Sequence, residues 1–142
     1  MRGPHVSLIF KVVGLKKGLL SKAVCSWLAA FFCMACLFLP SFLKVPLPSG
    51  PVNDKFFHFL VYLVAGFVVM RGACLSPMGE RPVVAICFAF LLTAAVGVVD
   101  EVHQLFVPGR QMDRLDLLCD LAGSAVGIGI YLVFRRKKNQ NP

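Results

Sequence analysis

Six of the seven acidic residues of this 142-residue chain lie beside two of its three histidines, at one end of its apolar segments. The acids are Asp54, Asp100, Glu101, Asp113, Asp116 and Asp120, and the histidines are His58 and His103. Carboxylates and imidazoles placed together can move protons between a ligand and the protein. Ionisable groups near the interior of a membrane helix bundle are rare and usually functional, so this grouping predicts a polar site.

The first group of candidate residues recurs every four positions. Asp54, His58 and Tyr62 have the spacing of one helix face, and Lys55 stands beside the first of them. Taken alone, Asp54 could be a helix N-cap and His58 an interfacial histidine that points at headgroups. Their shared face favours a polar site instead.

The second group follows a long uncharged run. If the helix continues to Val107, then Asp100, His103 and Gln104 share one face and Glu101 lies on a neighbouring one. The alternative is that the helix has emerged into water at this point. In that case its polar residues are simply solvated.

The third group opens the last apolar segment. Asp113, Asp116 and Asp120 are spaced three and four apart, so they share a helix face. An N-cap explains Asp113 and a favourable first-turn charge explains Asp116, but neither explains Asp120. A carboxylate inside lipid is costly unless it is paired or protonated, so Asp120 predicts an interior pocket. Its expected partners are Arg110, Arg114, His58 and His103.

Four apolar segments must position these groups. The chain is 58% hydrophobic and 15% charged, whereas soluble domains carry about 25% charged residues. Spans of about 20 residues fit near 23–43, 54–75, 83–104 and 114–134. Because the loops are short, the sequence predicts an all-α, polytopic transmembrane four-helix bundle. Gly123 and Gly127 in the last span predict close packing against another span of the same chain.

The net charge of +8 is distributed unevenly. Basic residues dominate segment 1–22, the loop 71–82 and the tail 135–142, while nearly all acids lie at the opposite ends of the spans. This positive-inside pattern predicts both termini in the cytoplasm and the acidic cluster at the outer face of the cytoplasmic (inner) membrane. We therefore divide the chain into a basic N-terminal segment 1–22, a multi-pass membrane domain 23–134 and a basic tail 135–142.

The N-terminal segment admits other interpretations. A cleaved signal peptide is disfavoured, since the apolar run 23–39 is too long and no small-x-small cleavage site follows it. Residues 5–20 mix apolar and basic types, which suits an interfacial helix. We favour a simple topogenic tail.

Several function classes find no support in the sequence. A phosphate loop, a dinucleotide fingerprint and a nucleophile elbow are absent, so no cofactor is expected. His58 and His103 with several carboxylates are donors that a divalent ion accepts, but no H-x-x-x-H or H-E-x-x-H pattern supports one, so no metal is expected. Nothing indicates nucleic-acid binding. The six cysteines, including the C-x-x-C at Cys33 and Cys36, are interpreted as small buried hydrophobes.

Three separated motifs resemble the VanZ-like family of membrane proteins. They are Asp54-Lys55-x-x-His58-Phe-x-x-Tyr62, then Glu101-x-x-Gln104-x-Phe106-x-Pro108-Gly109-Arg110, then Asp113-x-x-Asp116 with Gly123-x-x-x-Gly127. The chain departs from the pattern at Asp120, where family members often carry Asn. The resemblance implies a small integral membrane protein of the cell envelope. The family takes its name from a member linked to resistance to the glycopeptide teicoplanin, so a link to susceptibility is one expectation. The resemblance supplies no reaction.

The functional hypothesis is an outward-facing site that binds or modifies an anionic lipid-linked precursor or lipid headgroup. The residues expected to carry chemistry are Asp54, His58, Asp100, Glu101, His103 and Asp116. The residues expected to bind substrate are Lys55, Tyr62, Gln104, Arg110, Arg114 and Asp120. The expected partners are membrane lipids. The alternatives are a non-catalytic membrane interaction protein and a small proton-coupled transporter. The identity of the ligand, the presence of catalysis and the oligomeric state stay open.

Overall fold

The computed structural model is all-helical over the residues it describes, which are 17–43, 51–108 and 111–140. Its helices are α1 (Lys17–Leu43), α2 (Pro51–Leu75), α3 (Pro82–Gln104) and α4 (Arg114–Gln140), with a 3₁₀ turn at Pro77–Glu80 between α2 and α3. The predicted all-α class is confirmed. The helices coincide with the four expected spans to within a few residues.

Three helices among these residues are long and apolar enough to cross a membrane: Asp54–Leu75, Pro82–Gln104 and Arg114–Lys138. The described apolar part of α1, Ser21–Ala35, is shorter. Large hydrophobic side chains such as Phe31, Leu91 and Phe134 project from the outside of the bundle. An apolar exterior of this kind is expected of a surface that faces lipid.

Contacts between helix ends establish how the helices run. Trp27, early in α1, lies against Gly72, late in α2, so these two helices are antiparallel. Lys55 near the start of α2 binds Asp116 near the start of α4, so these two are parallel. This is the arrangement of an up-down bundle. The starts of α2 and α4 and the end of α3 therefore meet at one end, which we call the polar end. Which side of the membrane it faces stays a prediction.

The helices α2 and α4 share the most extensive contact of the bundle. A Cβ atom built on Gly123 would collide with the carbonyl oxygen of Phe59, and one on Gly127 with that of Leu63. Only hydrogen side chains allow the two backbones to approach this closely. The prediction that these glycines pack against another span of the same chain is confirmed.

The apolar core fills the half of the bundle away from the polar end. Its buried residues include Val69, Met70 and Ala73 on α2 and Ala85 and Ala89 on α3. The ring of Trp27 packs edge-on against Phe88, with ring centroids 5.9 Å apart, which joins α1 to α3. Small core residues keep α2 and α3 close, so the polar groups at the other end are held by a well-packed framework.

Two helix boundaries decide between alternatives that the sequence leaves open. Helix α2 begins at Pro51, so Asp54 lies in its first turn and is not its N-cap. Helix α3 ends at Gln104, the end predicted for the third span, and does not continue to Val107. Tighter turn bonds follow it, including Val107 N–H to the Gln104 carbonyl at 3.0 Å. Pro108 contributes to this end, because the residue before a proline is disfavoured in the helical conformation.

Some expectations lie outside the described residues. They are the N-terminal segment up to residue 16, the loop 44–50 and Arg110, as well as the side chain of Cys36.

Candidate functional site

The polar end of the bundle encloses most of the candidate site residues that the sequence singles out. The buried ones are His58, Tyr62, Asp100, Glu101, Gln104, Asp116 and Asp120, and they come from α2, α3 and α4. The alternative in which the end of α3 is solvated is therefore wrong, since Asp100, Glu101 and Gln104 face the interior. These polar side chains are shielded because the ends of three helices converge around them.

The innermost contact joins α2 to α4. His58 Nδ1 and Asp120 Oδ1 are 3.0 Å apart, and the side chains are 6% and 0% exposed. Asp120 is thus paired with one of the four partners predicted for it. A carboxylate beside an imidazole fixes the ring orientation and can exchange a proton with it.

Glu101 of α3 links the end of its own helix to the start of α4. Its Oε1 accepts a hydrogen bond from Gln104 Nε2 at 3.1 Å, and its Oε2 accepts one from the backbone N–H of Asp113 at 2.9 Å. Both donors are neutral. The fully buried carboxylate is therefore held in place by two hydrogen bonds that bring no positive charge.

Lys55 bridges two carboxylates of α4. Its ammonium donates to Asp113 Oδ2 at 2.6 Å and to Asp116 Oδ1 at 2.9 Å. Asp113 also accepts from the backbone N–H of Leu115 at 2.8 Å, so it is the predicted N-cap of α4. The Lys55 ammonium, and then the Leu115 N–H, lower the pKa of the Asp113 carboxyl below its ordinary value. Because the Lys55 ammonium is bound to these two carboxylates, it is poorly placed to hold an external anion.

Three buried polar atoms near this network make no hydrogen bond within the described part of the chain. They are Asp120 Oδ2, Tyr62 Oη and Ser124 Oγ, each on a residue with 0% exposure. Native proteins satisfy nearly all buried polar groups, so each such atom calls for an explanation. Gly97 contributes to the space beside one of them, since a Cβ built there would lie 3.2 Å from Asp120 Oδ2.

The cluster contains the donor types of a cation site. Ligand atoms of His58, Glu101 and Asp120 lie within 4.8 Å of one another, and all three residues are buried. A second group at the same spacing consists of Asp54, His58 and Asp116. The same side chains can therefore transfer a proton or hold a metal ion.

Other predicted site residues lie further from the centre. Asp54 and His103 are half-buried, and Arg114 is exposed at the start of α4. Sequence reasoning missed Ser124 and Gly97 as members of the site. Their spacing could have identified them, because Ser124 is one turn beyond Asp120 and Gly97 is one turn before Glu101.

An apolar recess of about 420 Å³ lies between α1 and α3. Its lining includes Phe31 and Met34 of α1 and Val96 and Val99 of α3. Val99 immediately precedes Asp100, so the recess reaches the level of the polar cluster. A hydrocarbon chain is the kind of ligand that such a lining suits.

Comparison with protein families gives one finding. The family model described as VanZ/LLP1 matches residues 22–135, which include all four helices' apolar stretches and every candidate site residue. The searches of curated proteins and of solved structures gave no match.

Proposed function

Since this chain belongs to the VanZ-like family and is a membrane protein, we propose that its polar end binds or modifies an anionic lipid headgroup. The chain would act in the cytoplasmic membrane of the cell envelope, with the polar end outward. The headgroup could belong to a phospholipid or to a lipid-linked envelope precursor, because both carry phosphate.

The observation that carries this proposal is the set of unpartnered polar atoms inside an otherwise apolar bundle. Asp120 Oδ2, Tyr62 Oη and Ser124 Oγ are buried without a hydrogen-bond partner among the described residues. A purely structural polar core would normally satisfy such atoms internally. A site that completes its hydrogen bonds with a ligand leaves them open.

Arg114 is the described basic residue best placed to meet an anion. It is exposed and opens α4, where the backbone N–H groups of a helix start favour negative charge. Its guanidinium presents a fork of donors that matches phosphate oxygens. Lys55, by contrast, is already bound to Asp113 and Asp116.

The apolar recess between α1 and α3 supports a lipid rather than a soluble anion. It runs beside the half of α3 that ends in Asp100 and Glu101. A lipid could therefore place an acyl chain in the recess while its headgroup stays at the polar end.

Native mass spectrometry of the purified protein with total membrane lipid tests the proposal. We expect a retained anionic lipid on the wild type that Arg114→Gln loses and Arg136→Gln keeps. Arg136 is the matched control, because it is an exposed arginine on the same helix at the opposite end. Equal lipid retention in the two variants, or none in the wild type, would contradict the proposal. If the retained lipid is a cell-wall precursor, deletion of the protein should also change teicoplanin susceptibility.

A second candidate is a non-catalytic interaction protein, and the bridge from Lys55 to Asp116 favours it. A partly buried ion pair that joins α2 to α4 can hold these two helices together without any ligand. On this reading Asp116→Asn lowers the melting temperature and leaves lipid retention unchanged. Loss of lipid without loss of stability would argue against it.

A further inference from the structure

We propose that His58, Glu101 and Asp120 form a binding site for one divalent metal cation that accepts both imidazole and carboxylate ligands, such as Zn²⁺ or Mn²⁺. The sequence predicted no metal, because these residues lie far apart along the chain and match no ligand motif. The inference deepens the proposed function and rests on it for the ion's role beside an anionic headgroup. Binding of the ion itself can be measured without lipid.

The geometry already approaches a ligand set. One ligand atom from each residue lies within 4.8 Å of the others, and the three side chains come from three different helices. Bonds from Zn²⁺ to nitrogen and oxygen are about 2.0–2.2 Å long, so tetrahedral donors lie about 3.3–3.6 Å apart. His58 Nδ1 lies 3.0 Å from Asp120 Oδ1, so the imidazole and the Asp120 carboxylate, whose open oxygen is Oδ2, already lie side by side. Small side-chain rotations would bring all three to bonding distance.

The local charge also favours a cation. Glu101 and Asp120 are both fully buried, and burial of a carboxylate is costly unless an opposite charge or a metal compensates. Glu101 receives hydrogen bonds from the Gln104 amide and the Asp113 backbone, both neutral. The nearby Lys55 ammonium is bound to two other carboxylates. A divalent cation would balance the two charges at once.

An independent observation is the open oxygen of Asp120. Its Oδ2 is buried and has no hydrogen-bond partner among the described residues, whereas Oδ1 has His58. The missing side chain of Gly97 leaves Oδ2 uncrowded, because a Cβ there would lie only 3.2 Å away. An oxygen that is sheltered from lipid and left without a donor is suited to a cation.

The surrounding hydrogen bonds resemble those that orient metal ligands. Gln104 Nε2 and the Asp113 N–H each hold one oxygen of the Glu101 carboxylate, and such outer contacts commonly keep ligands in place. The unpartnered hydroxyls of Tyr62 and Ser124 lie one helical turn from His58 and Asp120 along their helices. They are positioned to complete their hydrogen bonds with water on the ion.

The alternative group of Asp54, His58 and Asp116 is a less suitable metal site. Asp116 Oδ1 already binds the Lys55 ammonium at 2.9 Å, and Asp54 is only half-buried. A cation there would have to displace Lys55. In the inner group the ion would replace only the proton that His58 Nδ1 and Asp120 Oδ1 share, which is released to solvent.

The ion would also resolve an electrostatic difficulty of the proposed function. A phosphate headgroup that approached a cluster of buried carboxylates would be repelled. A divalent cation held by Glu101 and Asp120 would reverse the local charge and could bind a phosphate oxygen directly, as metal ions do in other phosphate sites. The acidic character of the polar end is then compatible with an anionic ligand.

The test uses the full-length protein in detergent, stripped with a chelator, loaded with Zn²⁺, desalted and analysed for metal per protein. We expect about one ion on the wild type, and at least a tenfold weaker retention in Asp120→Asn and Glu101→Gln. Asp54→Asn is the matched control, because it removes a carboxylate from the alternative group, and it should keep the ion. Retention in both inner variants, or loss in Asp54→Asn alone, would overturn the assignment.

A spectroscopic measurement on the wild type keeps the inference testable if a variant does not fold. Co²⁺ bound by nitrogen and oxygen donors should give visible d–d bands without thiolate charge transfer in the near ultraviolet. Absence of bound Co²⁺ and Zn²⁺, or a thiolate band that implicates cysteines, would contradict the site. Lipid retention lost in Arg114→Gln with no metal bound would leave the proposed function standing and remove only the ion. Metal bound as expected, with equal lipid retention in Arg114→Gln and Arg136→Gln, would support the metal site and contradict the proposed function.

Discussion

His58 Nδ1 lies 3.0 Å from Asp120 Oδ1 in the interior of the bundle, although the two residues are 62 positions apart in the chain. The contact joins the second helix to the fourth about one turn inside the spans, where ionisable groups are costly. Both residues had been singled out by their types and positions. Their pairing joins two helices of the bundle, and it also brings together the two groups that can exchange a proton or hold an ion.

The first prediction concerns that pair. Asp120→Ala and His58→Ala should each lower the free energy of unfolding by roughly 3–5 kcal/mol, because each leaves a buried polar group without its partner. The double variant should lose less than the sum of the two, with a coupling of about 0.5–3 kcal/mol. Unfolding by denaturant in detergent, followed by the fluorescence of Trp27, which packs against Phe88 in the folded bundle, provides the measurement. Strict additivity would show that the contact does not stabilise the fold.

The second prediction tests the close approach of α2 and α4. Gly127→Ala should destabilise the protein by about 1–3 kcal/mol, because the new methyl group meets the Leu63 backbone and forces the helices apart. Gly129→Ala is the control on the same helix, since nothing lies within 4 Å of its Cβ position. It should be neutral or stabilising by up to about 1 kcal/mol. Thermal unfolding in detergent distinguishes the two variants. Similar melting temperatures for both would contradict the packing.

The third prediction separates the two carboxylates that share Lys55. Asp116→Asn should lower the melting temperature more than Asp113→Asn, because the Asp116 side chain is 4% exposed and that of Asp113 is 42% exposed. The pair with the exposed Asp113 carboxylate is screened by solvent and contributes little, whereas Asp116→Asn removes the more shielded of the two ion pairs. Melting curves at low and high salt check this. The Asp113 contribution should weaken with salt, and a larger effect of Asp113→Asn would contradict the burial order.

The fold was largely predictable because it depends on local properties of the chain. The length of each apolar run sets the length of each helix, and the short loops set the antiparallel order. The spacing of Gly123 and Gly127 predicts close packing of the last span against another span, and the structure identifies that partner as α2. The end of α3 at Gln104 agrees with the end of the third predicted span, 83–104.

The candidate site was only half predictable. The helical spacing identified which residues share a face, but not which faces meet. For that reason Lys55 was assigned to substrate, whereas it binds Asp113 and Asp116. The grouping of His58, Glu101 and Asp120 depends on three helix ends and has no signature along the chain. The spacing of residues along the chain shows which of them share a helix face. Contacts between distant segments become visible only in the packed bundle.

The fourth prediction concerns orientation in the membrane. A reporter fused after residue 142 should read as cytoplasmic, because basic residues concentrate at both termini and in the loop 71–82. A reporter fused after residue 107, at the polar end, should read as extracytoplasmic. Each position is fused to two reporters, one that is active only in the cytoplasm and one that is active only outside it. The reporter that is active at each position gives its side of the membrane. The reverse pattern would place the site inward and remove envelope precursors from the candidate ligands.

The fifth prediction uses Gly97 to separate the site from the fold. In Gly97→Ala the new methyl group would lie 3.2 Å from Asp120 Oδ2 and 3.3 Å from Leu117 Cδ1, which is closer than ordinary contact. Alanine favours the helix by about 1 kcal/mol, which offsets the crowding, so the melting temperature should change little. Retention of Zn²⁺ should nevertheless fall at least tenfold, because the methyl group displaces the open carboxylate oxygen. Titration of metal binding in Gly97→Ala and in the Gly129→Ala control gives the comparison. Unchanged Zn²⁺ affinity in a folded Gly97→Ala variant would show that Oδ2 is not a ligand atom.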